Sequence, residues 1–248
     1  IGHGKSSRPS DGLRAKFPRY GYGDLVTAQH RLVTEGLKVD HLRLVMGTSM
    51  GGMHTWMWAT RYPEFMDAAM PLASLPVQIA GRNRFFRRMV IDSIRNDPDW
   101  RNGEYVAQPR GLTAAVYTLL FMTSVPLQWQ KTAPTRDAAD RFFDQTVAQR
   151  TAANDANDML YQFDASRDYD PQPDLEKITC ALLAINSADD QVNPPELGIL
   201  EEQIKRVKRG RAVVLPISDR TRGHSTHSFP AIWGDQLARL LKESEPKP

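Results

Sequence analysis

The chain has 248 residues, 41% of them apolar, enough for one α/β domain with a substantial core. Its net charge of +3 is mild, and no basic stripe alternates with aromatics, so nucleic acid is not an expected partner. No apolar run approaches the roughly 18 residues a membrane span needs, and a single cysteine, Cys180, permits no internal disulfide.

The chain opens on Ile1 and runs directly into Gly2-His3-Gly4-Lys5-Ser6-Ser7-Arg8-Pro9, a loop in which His3 reads as a turn residue. A helix is predicted over 23–37, with apolar Leu25, Val26, Leu32 and Val33 and a cap at Asp24. Residues 41–46 then read as a short apolar strand. The turn Gly47-Thr48-Ser49-Met50-Gly51 follows, and a helix runs from Met50 to about Arg61, stopping before Pro63. Strand, G-x-S-x-G turn and helix in that order are the context of a nucleophile elbow. Gly47 and Gly51 would relieve Cβ collisions in so tight a turn. Ser49 is the candidate nucleophile, and the Met50 N–H is placed to stabilise an oxyanion. Trp56, Met57 and Trp58 read as core and His54 as structural; 67–73 is a weak strand.

Residues 78–172 break the strand–helix alternation and read as a helical cap over the active site, excluding water and shaping an acyl pocket. Arg82, Arg84, Arg87 and Arg88 cluster in its first part. They are either solvated helix charges or, for one or two of them, ligands for an anionic substrate group. The alternation resumes with a strand at 181–186, and Cys180 beside it reads as a small core residue. An acidic loop carrying Asp189 and Asp190 follows. Residues 196–209 read as a helix with cations in its last turns and Gly210 as its cap. A strand at 212–217 leads to Gly223-His224-Ser225-Thr226-His227 and a last helix over 230–241. The serine, the acid and the histidine each follow a predicted strand, and in a parallel sheet those strand ends share one edge. The expected organisation is core 1–77, cap 78–172 and core 173–248.

On these motifs the chain resembles the homoserine O-acetyltransferase-like branch of the α/β-hydrolase superfamily. The residues carrying the resemblance are Gly47-Thr48-Ser49-Met50-Gly51-Gly52-Met53, Asp97-Pro98-Asp99-Trp100, Gly103-Glu104-Tyr105 and Pro109-Arg110-Gly111-Leu112. Asp155-Ala156-Asn157, Leu160-Tyr161, Asp168-Tyr169-Asp170, Asp190 with Pro194-Pro195, and Gly223-His224 complete it. The resemblance implies a parallel sheet with helices on both faces and an inserted helical cap. It also implies a Ser49–His224–Asp190 triad, with Asp189 as the alternative acid. Arg82, Arg84, Tyr161 and Ser225 are the candidate substrate contacts. No metal or prosthetic group is expected.

Two positions depart from the branch. Its acetyltransferases tend to have an Arg where this chain has Ile91, suited to a substrate carboxylate. They also tend to have an Asp where this chain has Ser225, suited to a substrate amino group. Each lost charge-assisted contact removes roughly 1.5–3 kcal/mol of binding. The expected activity is therefore acyl-ester hydrolysis on a small-molecule substrate. An acyl-CoA-dependent O-acyltransferase is the alternative, and a non-catalytic binding protein on the same scaffold the second. The family sheet has further strands that would flank residues 41–46 and supply a second oxyanion N–H. Without them that strand would be an unpaired apolar edge, so roughly a hundred residues are expected before Ile1, in this chain or as a separate one. A homodimer is left open.

Overall fold

The central strands are the apolar ones. In the computed structural model, which describes residues 1–2 and 4–245, four parallel strands lie in the order β1-β2-β3-β4. These are β1 (Leu42–Thr48), β2 (Met66–Leu72), β3 (Ala181–Ser187) and β4 (Gly210–Leu215). Every residue of β3 is buried, whereas β1 and β4, at the two edges, are mostly half-buried. That is the burial profile of a parallel sheet covered on both faces. The reading of His3 lies outside the described residues.

The chain divides into two compact units. One, Tyr22–Gln78 with Tyr169–Pro248, contains the whole sheet. Its helices are α1 (Tyr22–Arg31), which continues as a wider turn over Leu32–Gly36, and α2 (Met50–Arg61). Helix α9 closes the chain over Pro230–Glu243. Alternate residues Ala68, Met70 and Leu72 of β2 and Leu183 and Ile185 of β3 meet Trp233 and Leu240 of α9. Helix α2 packs on β1 and β2 and buries Trp56, Met57 and Trp58. Cys180, just ahead of β3, is buried, and burial pushes its thiol up to about 11, as expected of a core residue.

Three local expectations are corrected. Helix α1 starts at Tyr22, so Asp24 lies inside the first turn and not at the N-cap position, and its charge meets the helix dipole there. The single helix expected over 196–209 is broken into a 3-10 turn Pro195–Leu197, a short α8 (Ile199–Gln203) and a second 3-10 turn Ile204–Arg206. Pro194 and Pro195 remove donors there, and Gly198 at φ 66 resets the chain direction. Gly210 accordingly opens β4 rather than capping a helix. Two cations of this segment bind carboxylates: Arg206 grips Glu176 at 2.6 and 2.8 Å, and Lys205 meets Glu202 at 2.8 Å.

The other unit, Ile1–Gly21 with Ile79–Asp168, is helical. It contains α3 (Gly81–Arg95), α4 (Arg110–Thr123), α5 (Pro126–Thr132), α6 (Arg136–Ala152) and α7 (Ala156–Asp164). Val90 and Ile94 of α3 interlock with Leu112 and Val116 of α4 and Met159 and Leu160 of α7. The motif residues singled out in this region form one polar scaffold. Asp97 accepts the Asp99 and Gly111 N–H groups at 2.9 and 2.6 Å. Buried Asn157 accepts Trp100 Nε1–H and donates to the Gly103 carbonyl. Asp155 accepts Tyr105 O–H and Gln108 Nε2–H at 2.8 and 2.7 Å.

The elbow between β1 and α2 depends on close backbone approach. A Cβ on Gly47 would lie 2.2 Å from the Gly51 carbonyl oxygen, and one on Gly52 would lie 2.4 Å from that of Leu72. Gly51, expected to be crowded, faces open space instead, because Gly52 is the residue turned toward β2. Gly52→Ala should therefore lower stability by about 1–3 kcal/mol through overpacking. A reduced urea midpoint at unchanged slope is the expected reading; an unshifted midpoint would show that the α2–β2 contact yields freely.

Candidate active site

Ser49, Asp190 and His224 all belong to the sheet-containing unit; Ser49 and Asp190 sit just past the ends of β1 and β3, and His224 lies in the 3-10 segment that follows β4. Ser49 stands between β1 and α2 with φ 53 and ψ −113, a conformation that a non-glycine residue adopts only under constraint. The constraint is visible on both sides. Its N–H donates to the Leu72 carbonyl at 2.9 Å, and its own carbonyl accepts Met53 N–H at 3.0 Å. The side chain is thereby thrown out of the turn, and Met50 becomes the first residue of α2.

The Ser49 hydroxyl lies 2.7 Å from His224 Nε2. The opposite ring nitrogen, Nδ1, lies 3.0 and 3.2 Å from the two Asp190 carboxylate oxygens. Of the two adjacent carboxylates it is thus Asp190 that faces the imidazole. Asp189 instead accepts the Ser187 hydroxyl. Asp190 is fully buried. One oxygen accepts Val192 and Asn193 N–H at 2.8 and 3.2 Å; the other accepts Asn193 Nδ2–H at 3.2 Å. Burial pushes the carboxyl up, but His224 and these donors outweigh it and hold the acid below its usual range. An ionised carboxylate next to Nδ1 favours the tautomer with the proton on Nδ1 and a lone pair on Nε2, aimed at the serine.

Asn193 was not singled out from the sequence. It is buried, and its amide spans Asp190 and the Ala73 carbonyl, while its own carbonyl accepts Asn186 Nδ2–H. The available signal was the spacing Asp190-x-x-Asn193, which suits a carboxylate closing its own turn.

Ser225 lies beside His224 in the 3-10 segment Gly223–Ser228, its N–H donating to the Arg222 carbonyl. The other candidate contacts belong to the helical unit. Arg82 is exposed and Arg84 half-buried on α3. The Tyr161 hydroxyl of α7 is within reach of the Ala15 and Phe17 carbonyls at 3.1 and 2.7 Å. Arg87 is buried, bound to Asn83 and Ser166 between the Phe86 and Phe163 rings. Ile91 is also buried. His54 is buried against Tyr22 and Gln29. Among the described residues no group of three or more His, Cys, Asp or Glu side chains could hold a metal ion.

Residues 1–216 match the family model for the alpha/beta hydrolase fold. The chain belongs to the α/β-hydrolase family. It is similar to a homoserine O-acetyltransferase of Pelobacter propionicus, 30% identical over 245 residues, 88% of this chain and 64% of that protein. A probable acyltransferase of Methanothermobacter thermautotrophicus is 26% identical over 198 residues, 79% of this chain and 60% of that one. The chain thus spans less than two thirds of the length of these curated relatives. Among solved structures it is similar to the acetyl esterase MekB, with a TM-score of 0.83 at 25% identity over 99% of this chain and 75% of that one. The homoserine O-acetyltransferase from Bacillus anthracis shares the fold at a TM-score of 0.79 and 20% identity, over 98% and 70% of the two chains.

His227 provides a test by pH. Its ring stands edge-on to His224, 5.3 Å between centroids. Burial, then the neighbouring His224, lower it from 6.5 to about 4. Above pH 6.5 both folded and unfolded states leave it neutral. As pH falls from 6.5 toward 4, only the unfolded chain takes up the proton, so stability is lost across that window. The urea midpoint should drop between pH 7 and pH 4.5, and drop less in His227→Phe. Equal drops in the two proteins would remove His227 from the acid response.

Proposed function

We propose that the chain is the catalytic part of a serine carboxylic-ester hydrolase working through an acyl-enzyme on small-molecule acyl esters. The observation that carries the proposal is the unbroken hydrogen-bond line from Ser49 through His224 to buried Asp190. A constrained serine at a strand–helix turn, a base within 2.7 Å and a buried acid behind the base are what nucleophilic catalysis needs.

In this reading neutral His224 takes the Ser49 proton at Nε2 as the oxygen attacks the acyl carbonyl. Asp190 stabilises the imidazolium that forms and keeps its Nδ1 proton. The Met50 N–H, at the start of α2, stabilises the oxyanion. His224 then gives its proton to the leaving alkoxide, the C–O bond breaks, and an acyl-serine remains. Water, deprotonated by His224, attacks that ester, and Ser49 leaves with the proton. The dipole of α2 adds to the stabilisation of negative charge beside the serine.

The second reading is acyl transfer from an acyl-CoA to an alcohol, favoured by the similarity to the Pelobacter propionicus homoserine O-acetyltransferase. It shares every step up to the acyl-enzyme and differs in what attacks next. Ile91, buried in the helical unit, offers no charge to an amino-acid acceptor, and Ser225 offers only a hydroxyl. That supports water as the acceptor.

Release of nitrophenol from short-chain esters should be measurable without any amino acid present, and L-homoserine with acetyl-CoA should not raise turnover. Ser49→Ala and His224→Ala should each lower kcat on the order of 10⁴–10⁶-fold, and Asp190→Asn by about 10⁴-fold. Activity surviving in Ser49→Ala would reject the acyl-enzyme. Saturable acetylation of homoserine would replace hydrolysis by transfer.

A further inference from the structure

The base loop has a support that the hydrogen-bond line to Asp190 does not include. Thr226, two residues past His224, is buried, as is Ser187 at the end of β3. Arg222 N–H donates to the Thr226 hydroxyl at 2.8 Å. Thr226 donates in turn to the Ser187 hydroxyl at 3.4 Å. Ser187 donates onward to an Asp189 carboxylate oxygen. Each hydroxyl has one proton, so the chain can run in one direction only. It must end on a group that accepts without donating, and an ionised carboxylate is such a group. A small cavity, lined among others by Ser187, His224, Thr226, His227 and Trp233, has room for about one water between the loop and the strand end. The loop is seated on the end of β3 through this hydroxyl chain. On its other side the Trp233 indole N–H donates to the His227 carbonyl.

We propose that Thr226, Ser187 and Asp189 are positioning residues: they fix the height of the His224 loop over the sheet, while Asp190 fixes the ring. The adjacent carboxylates then divide one task, since Asp190 acts on the imidazole and Asp189 on the backbone that carries it. A loop free to rise would lengthen the Ser49–His224 contact, now 2.7 Å, and slow every step in which that proton moves.

This inference rests on the reading of Ser49 as nucleophile and His224 as base. The test is chosen to separate the two. The full chain is treated with a fluorophosphonate, and the second-order rate of Ser49 labelling is followed by mass spectrometry. Thr226→Val keeps the shape and removes the hydroxyl, and should slow labelling on the order of 10-fold. Thr226→Ser restores the hydroxyl and should recover most of the rate. Ser187→Ala interrupts the same chain, so the double variant Ser187→Ala/Thr226→Val should be little slower than either single one. In ester hydrolysis the loss should fall on kcat and leave KM in place. Thermal melts show whether each variant folds, and Thr226→Ser remains informative where Thr226→Val does not fold. Labelling of Thr226→Val at the wild-type rate, failed rescue by serine, or additive losses would each overturn the inference while leaving the nucleophile in place. Absence of labelling in the wild-type chain would overturn both.

Discussion

The site depends on a carboxylate kept ionised without access to water. Asp190 is fully buried, and its burial alone would drive it toward the neutral acid. It stays charged because donors converge on it: two backbone N–H groups, one amide side chain and the imidazole itself. Those donors require the turn after β3 to close tightly, and Asn193 closes it by tying the carboxylate to Ala73 at the end of β2. The position of the acid is thus set by the sheet, and the orientation of the imidazole by the acid. The same strand end also provides Ser187 for the base loop. Two adjacent strands, β2 and β3, thus hold Asp190 and Asn193 in place.

The helical unit is organised on a different principle. Its distinctive residues bind one another and neighbouring backbone groups. Asp97 caps one turn and holds the start of α4, Asn157 bridges Trp100 and Gly103, and Asp155 collects Tyr105 and Gln108. Such networks tolerate little substitution because an unsatisfied buried partner costs about 1–3 kcal/mol. Unusual motifs in this part of the chain therefore mark a scaffold. Arg87 illustrates the point: a cation in a basic cluster, it is enclosed between two aromatic rings with its donors on Asn83 and Ser166.

The strands and the elbow were legible because their signals are local. Residues 41–46 and 181–186 are apolar runs of strand length, and Gly47-x-Ser49-x-Gly51 stands between a strand and a helix, whose observed span is Met50–Arg61. Where two signals compete, reading fails. Residues 196–209 have helical composition, yet Pro195 and Gly198 fix the backbone more strongly than propensity does. Crowding at the elbow was assigned to Gly51 from the motif, but which glycine is crowded depends on how α2 rotates over β2. Spacing could not distinguish Asp189 from Asp190, because adjacent residues on a turn point in directions that only the fold determines. Asn193 escaped notice for the same reason: its partners, Ala73 and Asp190, lie 120 and 3 residues away.

The contacts of the first 21 residues have a consequence for biosynthesis. Ser10 binds Asp158 through both backbone and side chain, 148 residues further on, and Phe17 accepts a hydrogen bond from Tyr161. During translation at about 5–20 residues per second, Ser10 and Phe17 are made long before α7 and wait several seconds for their partners. In that interval β1, α2 and β2 are made and can pair. Only when α7 leaves the ribosome can Ser10 and Phe17 settle against it. These residues are thus placed well after they are made, and until then Phe17 and Tyr20, buried in the fold, have no α7 to pack against.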